Sequence, residues 1–262
     1  MANLIKPNPL SFSSVFLELI FGDSQLSIAT GFVWEHENVH YLITNWHVVT
    51  GLHPQSGQPI SESGATPDLL RIWLHTSERL GKWESQDLQL FDNQGRPLWK
   101  EHKTFRSNVD VAIIGLDMSD KFRLFPINKI SFDEFRVEIS QDVFIIGFPR
   151  GITGSGRFPI WKRGSIASEP SIDIDKLPKI LIDSATREGM SGSPVIAQYV
   201  GYHKEDPTNP DMSGSDWFGM GRKFLGIYSG RLPGQDLFEA QLGIVWKASL
   251  IGEIVTSGIR PD

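Results

Sequence analysis

The 262-residue chain carries a formal charge of −6, is 40% hydrophobic and 21% charged, and contains no cysteine. This is the balance of an ordinary globular protein long enough to bury a sizeable core. It offers no bulk attraction to nucleic acid or anionic lipid, and the missing cysteines exclude disulfides, thiol catalysis and thiolate metal sites. No run approaches the roughly 18 apolar residues of a membrane span. The start, M-A-N-L-I-K-P-N-P-L, lacks the basic region and apolar core of a signal peptide, so a cytoplasmic location is expected.

In chain order, Ser11 to Phe21 reads as a strand. Ile28 to Val33 and His40 to Thr44 form a hairpin around Glu35-His36-Glu37-Asn38, both arms rich in β-branched and aromatic residues. Gly51 to Asp68 is a loop by its Gly, Pro and Ser content. Leu69 to His75 and Leu88 to Trp99 return to strand character, the latter folded about Asp92-Asn93-Gln94-Gly95, and Val109 to Leu116 completes a first set of about six. After a linker around Ser119 to Asn128, strands follow at Asp142 to Phe148, Phe158 to Ala167, Lys179 to Ala185, Val195 to Val200, Lys223 to Ser229 and Gln241 to Trp246. His203 to Trp217 is polar and proline-interrupted and reads as an exposed excursion. Leu250, Ile251, Ile254 and Val255 make the stripe of a terminal amphipathic helix within Lys247 to Ile259. Many short strands and one helix indicate an all-β class.

The chemistry concentrates in R-E-G-M-S-G-S-P-V, residues 187–195. Ser191 is a weak nucleophile unless a base lies within reach and N–H donors face the oxyanion formed on attack. Gly189 ahead of it lets the backbone present two amides, those of Gly189 and Ser191, to one spot. Upstream, Y-L-I-T-N-W-H-V-V places His47 at the end of an apolar strand, and N-V-D-V-A-I-I-G-L places Asp110 at the head of another. Histidine, then aspartate, then serine is one of the chain orders in which a hydrolytic triad occurs, and the stretch lacks the second glycine of a G-x-S-x-G elbow. The remaining histidines, His36, His40, His53, His75, His102 and His203, show no metal-ligand spacing, so neither metal nor cofactor is expected. Gly151 to Arg157 lacks the Lys-Ser/Thr ending of a phosphate loop and precedes a strand, which makes it a loop near the cleft.

The motifs T-G-F-V-W, L-I-T-N-W-H-V-V, V-D-V-A-I-I, G-M-S-G-S-P-V and L-G-I-Y-S-G-R resemble those of the trypsin-like, chymotrypsin-fold serine peptidases, in the bacterial branch of the glutamyl endopeptidases and high-temperature-requirement proteases. The resemblance implies two six-stranded antiparallel β-barrels with the active site between them. Residues 1–120 would form the barrel with His47 and Asp110. Residues 121–262 would form the one with Ser191, the oxyanion hole and the specificity pocket, followed by the helix. It implies His47 as general base and then acid, Asp110 as its buried orienter, and Gly189 and Ser191 as oxyanion donors. Ala185 matches the pocket floor, and Thr186, Tyr228 and Arg231 help to shape the pocket. Ser229 supports the aspartate and, with Gly230 and Arg231, forms the edge on which an extended substrate pairs.

Departures from the pattern carry information. Met190 replaces the carboxylate that captures a new N-terminus in zymogens. Ala185 carries no charge for a Lys or Arg side chain, and Tyr228 stands where glutamyl endopeptidases carry histidine, so a small or uncharged side chain is expected before the scissile bond. The expectation is a serine endopeptidase acting on polypeptide, with no nucleic-acid or membrane partner. Two alternatives stay open: a latent or silent module of the same fold that binds extended peptides or is switched on by a protein partner or fused domain, and a hydrolase of other acyl compounds.

Overall fold

The computed structural model describes residues 7–79, 81–203, 216–232 and 241–261. Eight strands build the first sheet: β1 (Ser14–Phe21), β2 (Ser24–His36), β3 (Val39–Thr44), β4 (Leu69–Thr76), β5 (Trp83–Gln89), β6 (Trp99–Lys100), β7 (Ala112–Leu116) and β8 (Phe122–Arg123). Their order is β5-β4-β1-β2-β3-β7-β6, with β8 on β4. Six more close a barrel in the order β10-β11-β14-β13-β12-β9: β9 (Asp142–Gly147), β10 (Ile160–Ile166), β11 (Lys179–Asp183), β12 (Pro194–His203), β13 (Trp217–Arg231) and β14 (Leu242–Lys247). Every pairing is antiparallel, and the chain ends in a helix, Ser249–Ser257.

The all-β, two-sheet architecture with a terminal helix is as expected from sequence; the first sheet differs in count, with eight strands in place of six. The additions are β5, whose polar W-E-S-Q-D-L-Q sequence meets the expected stretch only at Leu88 and Gln89, and the two-residue strands β6 and β8, too short to show a period. The hairpin expected over Leu88 to Trp99 is mostly irregular, with a single bridge between Phe91 and Pro97. There the Asp92 carboxylate accepts the N–H groups of Gln94 and Arg96, and a proline cannot donate to a ladder. The polar excursion expected at His203 to Trp217 lies largely outside the described residues.

Period-two alternation assigns each strand two duties. Along β2, Ala29 and Val33 enter the core of the first sheet with Leu17, Leu42 and Ile72. Phe32, between them, joins a second core shared with Ile146, Ile196 and Ile227 of the barrel and with the helix stripe Leu250, Ile251, Ile254 and Val255. The helix therefore caps the seam between the two sheets. Thr30 shares the Phe32 face of β2, and this parity places it against the barrel's serine loop.

Candidate active site

The register of β3 and β7 brings the histidine and the aspartate together. Thr44 pairs with Ala112, so the chain leaving β3 and the chain entering β7 run side by side. His47 sits in the short helix α1 (Trp46–Thr50), three residues past the strand, and Asp110 lies two residues before β7. Asn45, ahead of that helix, donates from Nδ2 to the Asp110 carbonyl at 2.7 Å. The Asp110 carboxylate spends both oxygens on this neighbourhood. Oδ1 accepts the His47 backbone N–H at 2.8 Å, while Oδ2 faces His47 Nδ1 at 2.6 Å and accepts the Ser229 hydroxyl.

Asp110 is buried, and burial by itself pushes its carboxyl pKa up. The nearby His47 charge and the hydrogen bonds from the His47 ring, Ser229 and the His47 amide outweigh that penalty and hold it below the usual carboxylate range. An ionised Asp110 keeps the proton on Nδ1 and leaves Nε2 as the basic nitrogen.

Behind the pair stands a support that no motif in the sequence disclosed. The buried Glu101 carboxylate accepts Trp46 Nε1–H at 2.9 Å and pairs with Arg106 Nε at 3.1 Å. Trp46 precedes His47 directly and Arg106 lies four residues before Asp110, so one carboxylate ties both segments. Only the aspect of Glu101 as an isolated acid beside Trp and Lys is visible in sequence, which is no signal.

Ser191 lies just ahead of β12. Its backbone neighbours lock the loop to the barrel: Gly192 N–H donates to the Tyr228 carbonyl at 2.8 Å, and Tyr228 N–H to the Ser193 carbonyl at 2.9 Å. Met190 is fully buried in the barrel core with Ile145, Val195 and Tyr228, and so anchors the loop by an apolar contact. Three carbonyls of the loop are held from outside. Arg150 N–H donates to Glu188 at 2.7 Å, the Thr30 hydroxyl to Gly189 at 2.7 Å, and Thr30 N–H to Ser191 at 2.8 Å. The C=O and N–H of a trans peptide point in opposite directions, so the hold on Glu188 aims the Gly189 N–H away from Arg150. Among the described residues, the N–H groups of Gly189 and Ser191 have no protein acceptor. Gly189 has φ +86°, and a Cβ there would lie 2.3 Å from the Phe148 carbonyl oxygen, so neither the conformation nor the space admits another residue.

His47, Gly189 and Ser191 line one groove of about 770 Å³. His47 and Asp110 also line an adjoining hollow of about 430 Å³ with Ser229, Gly230 and Arg231. The Ser191 hydroxyl donates to the Ser229 carbonyl at 3.4 Å, a long contact, and makes no hydrogen bond to the His47 ring. Catalytic hydrogen bonds are often loose without substrate.

The expected substrate edge is open. Pairing of β12 with β13 ends at Pro194 and Ile227, Gly192 and Ser193 close over Tyr228, and the β13 register slips between Tyr228 and Gly230. Of the residues expected to shape the pocket, Thr186 and Tyr228 are buried and their hydroxyls bond to each other, whereas Ala185 is exposed. Arg231 reaches back across to the Thr186 carbonyl. No group of three His, Asp or Glu side chains suited to a metal ion gathers among the described residues. No helix among them is long and apolar enough to cross a membrane.

Residues 29–200 match the family model of the trypsin-like peptidase domain. The chain belongs to that family. No curated protein matches the sequence. This trypsin-like peptidase domain is similar in structure to the active form of the Rv3671c protease from M. tuberculosis, with a TM-score of 0.50 at 15% identity, over 97% of this chain and 84% of that one. It is also similar to the serine endoprotease from Yersinia pestis, with a TM-score of 0.51 at 13% identity, over 96% of this chain and 66% of that one. At such identities the likeness is one of fold. The roles of individual residues rest on the geometry above.

Proposed function

We propose that this chain is a serine endopeptidase that hydrolyses peptide bonds through an acyl-enzyme on Ser191. The observation that carries the reading is the Asp110 clamp: one buried, ionised carboxylate holds the His47 ring, its backbone amide and Ser229 beside the groove that contains Ser191. Ser191 Oγ attacks the carbonyl carbon of the scissile peptide as its proton passes to His47 Nε2. The oxyanion forms against the unpartnered N–H groups of Gly189 and Ser191. His47 then gives the proton to the leaving amine nitrogen, which departs as the C–N bond breaks and leaves an ester on Ser191. Water repeats the sequence through the same base, breaks the ester and restores the hydroxyl. Substrate is an extended polypeptide, whose backbone adds to the open edge at residues 229–231.

One observation favours the latent form of the same machinery. Ser191 spends its hydroxyl on the Ser229 carbonyl and not on the His47 ring. A substrate or a regulatory protein that turns this hydroxyl toward the ring would then switch the site on. Covalent labelling by a fluorophosphonate separates the two. A competent site labels the wild type and not Ser191→Ala, which loses turnover by roughly 10⁶. Absence of labelling in both excludes a constitutively active peptidase.

A further inference from the structure

Two arginines converge on one neutral atom. The Thr186 carbonyl oxygen accepts Arg187 Nη1–H at 2.9 Å and Arg231 Nη2–H at 2.8 Å. Two other surface guanidiniums, Arg71 with Asp87 and Arg163 with Asp142, each meet a carboxylate by two hydrogen bonds. Among the described residues neither Arg187 nor Arg231 has such a partner, and Glu188, adjacent in sequence to Arg187, serves neither. Like charges gathered on a carbonyl leave an unfilled place for an anion.

The location decides which anion. Residues 186–189 run directly into the serine loop, and β13 ends opposite with Tyr228, Ser229, Gly230 and Arg231. The contact between Arg231 and Thr186 spans these two walls, five residues from Ser191 in sequence. Behind it lie the mutually bonded hydroxyls of Thr186 and Tyr228. Burial pushes the Tyr228 hydroxyl pKa up, and the Arg231 charge is close enough to work against that push. Ala185 adds no charge of either sign.

We infer that the specificity pocket takes an acidic side chain, glutamate or aspartate, from the residue before the scissile bond, held between Arg231 and Arg187. The inference rests on the endopeptidase reading and names the substrate class of that site. An entering carboxylate replaces the Thr186 carbonyl as acceptor and converts two neutral-acceptor contacts into charge-assisted ones. A neutral amide of the same shape offers one uncharged oxygen in place of the carbonyl it displaces and so gains no charge assistance, and a lysine meets two like charges. Sequence alone favours a small or uncharged side chain, because the pocket floor is alanine; the charge enters from the wall, through the reach of Arg231.

The test compares paired peptides differing only in glutamate against glutamine, and aspartate against asparagine, before the cleaved bond, with fluorophosphonate labelling of the wild type alongside. The expected result is labelling together with a kcat/KM for the acidic member about 10–100-fold above its amide partner, a ratio that collapses in Arg231→Met. Labelling with no acid-over-amide preference in the wild type overturns the inference and leaves the endopeptidase reading standing. An acidic preference that survives unchanged in both Arg231→Met and Arg187→Met also overturns it. Absence of labelling and of cleavage of every peptide removes the endopeptidase reading, and the inference with it.

Discussion

Replacing Thr30 by valine tests whether the first sheet sets the geometry of the serine loop. Thr30 is fully buried, and valine matches its shape without the hydroxyl. That hydroxyl donates to the Gly189 carbonyl at 2.7 Å and accepts Phe148 N–H at 3.2 Å. In Thr30→Val both backbone groups lose these partners, and a buried unsatisfied group costs about 1–3 kcal/mol. The two together should destabilise the fold by about 2–6 kcal/mol, or lower the melting temperature by about 4–24 °C at this chain length. The Thr30 N–H and carbonyl keep their bonds to Ser191 and to the Thr44 hydroxyl, so the loop is loosened and not released. Freeing the Gly189 peptide should misalign the adjacent amide and lower kcat by about 10²-fold, the scale of losing one oxyanion donor, with KM little changed. Calorimetry, with kcat and KM measured on fluorophosphonate-titrated sites, provides the readout. Thr30→Ser retains the hydroxyl and should stay within a few-fold of wild type. A valine variant that melts and turns over like the wild type, or a serine variant as impaired as valine, would refute the reasoning.

Two further predictions concern the stability of the scaffold. His75 is buried among Phe12, Trp83, Phe125 and Phe158, and burial first, with the Arg123 charge second, holds its pKa at about 4. The unfolded chain, with an imidazole near about 6.5, binds the proton more readily than the native state does between these values. The stabilisation is therefore complete above about pH 6.5 and is lost as pH falls toward 4, by about 3 kcal/mol in all. Denaturant melts across that window should show this loss, and His75→Phe should remove it; an unchanged pH dependence in the variant would assign the proton elsewhere. Gly192 has φ +84°, and a Cβ there would stand 1.9 Å from the Thr30 carbonyl oxygen, which the Thr44 hydroxyl pins in place. Gly192→Ala should therefore cost more than about 3 kcal/mol, seen as a large drop in urea midpoint, and a near-native midpoint would contradict the packing described.

What could be read from sequence alone was whatever local chemistry dictates. Alternation and turn residues located most strands, such as the hairpin through Glu37 and Asn38, both at positive φ, and the 3.6-residue stripe located the final helix. The order of His47, Asp110 and Ser191, each beside a strand end, pointed to one chemistry because that chemistry needs those groups in known roles. Strand β5 escaped because W-E-S-Q-D-L-Q is largely polar, and β6 and β8 because two residues show no period; only a partner strand defines them. Thr30, Glu101 and Arg150 escaped for a related reason. Each acts through a hydrogen bond to a segment at least 38 residues away, such as those donated by Arg150 to the Glu188 carbonyl and by Thr30 to the Gly189 carbonyl. The reach of Arg231 to Thr186 is of the same kind. Local sequence determines which face of a strand a side chain occupies, whereas what that face meets depends on how the two sheets close on each other, and only the tertiary structure decides that.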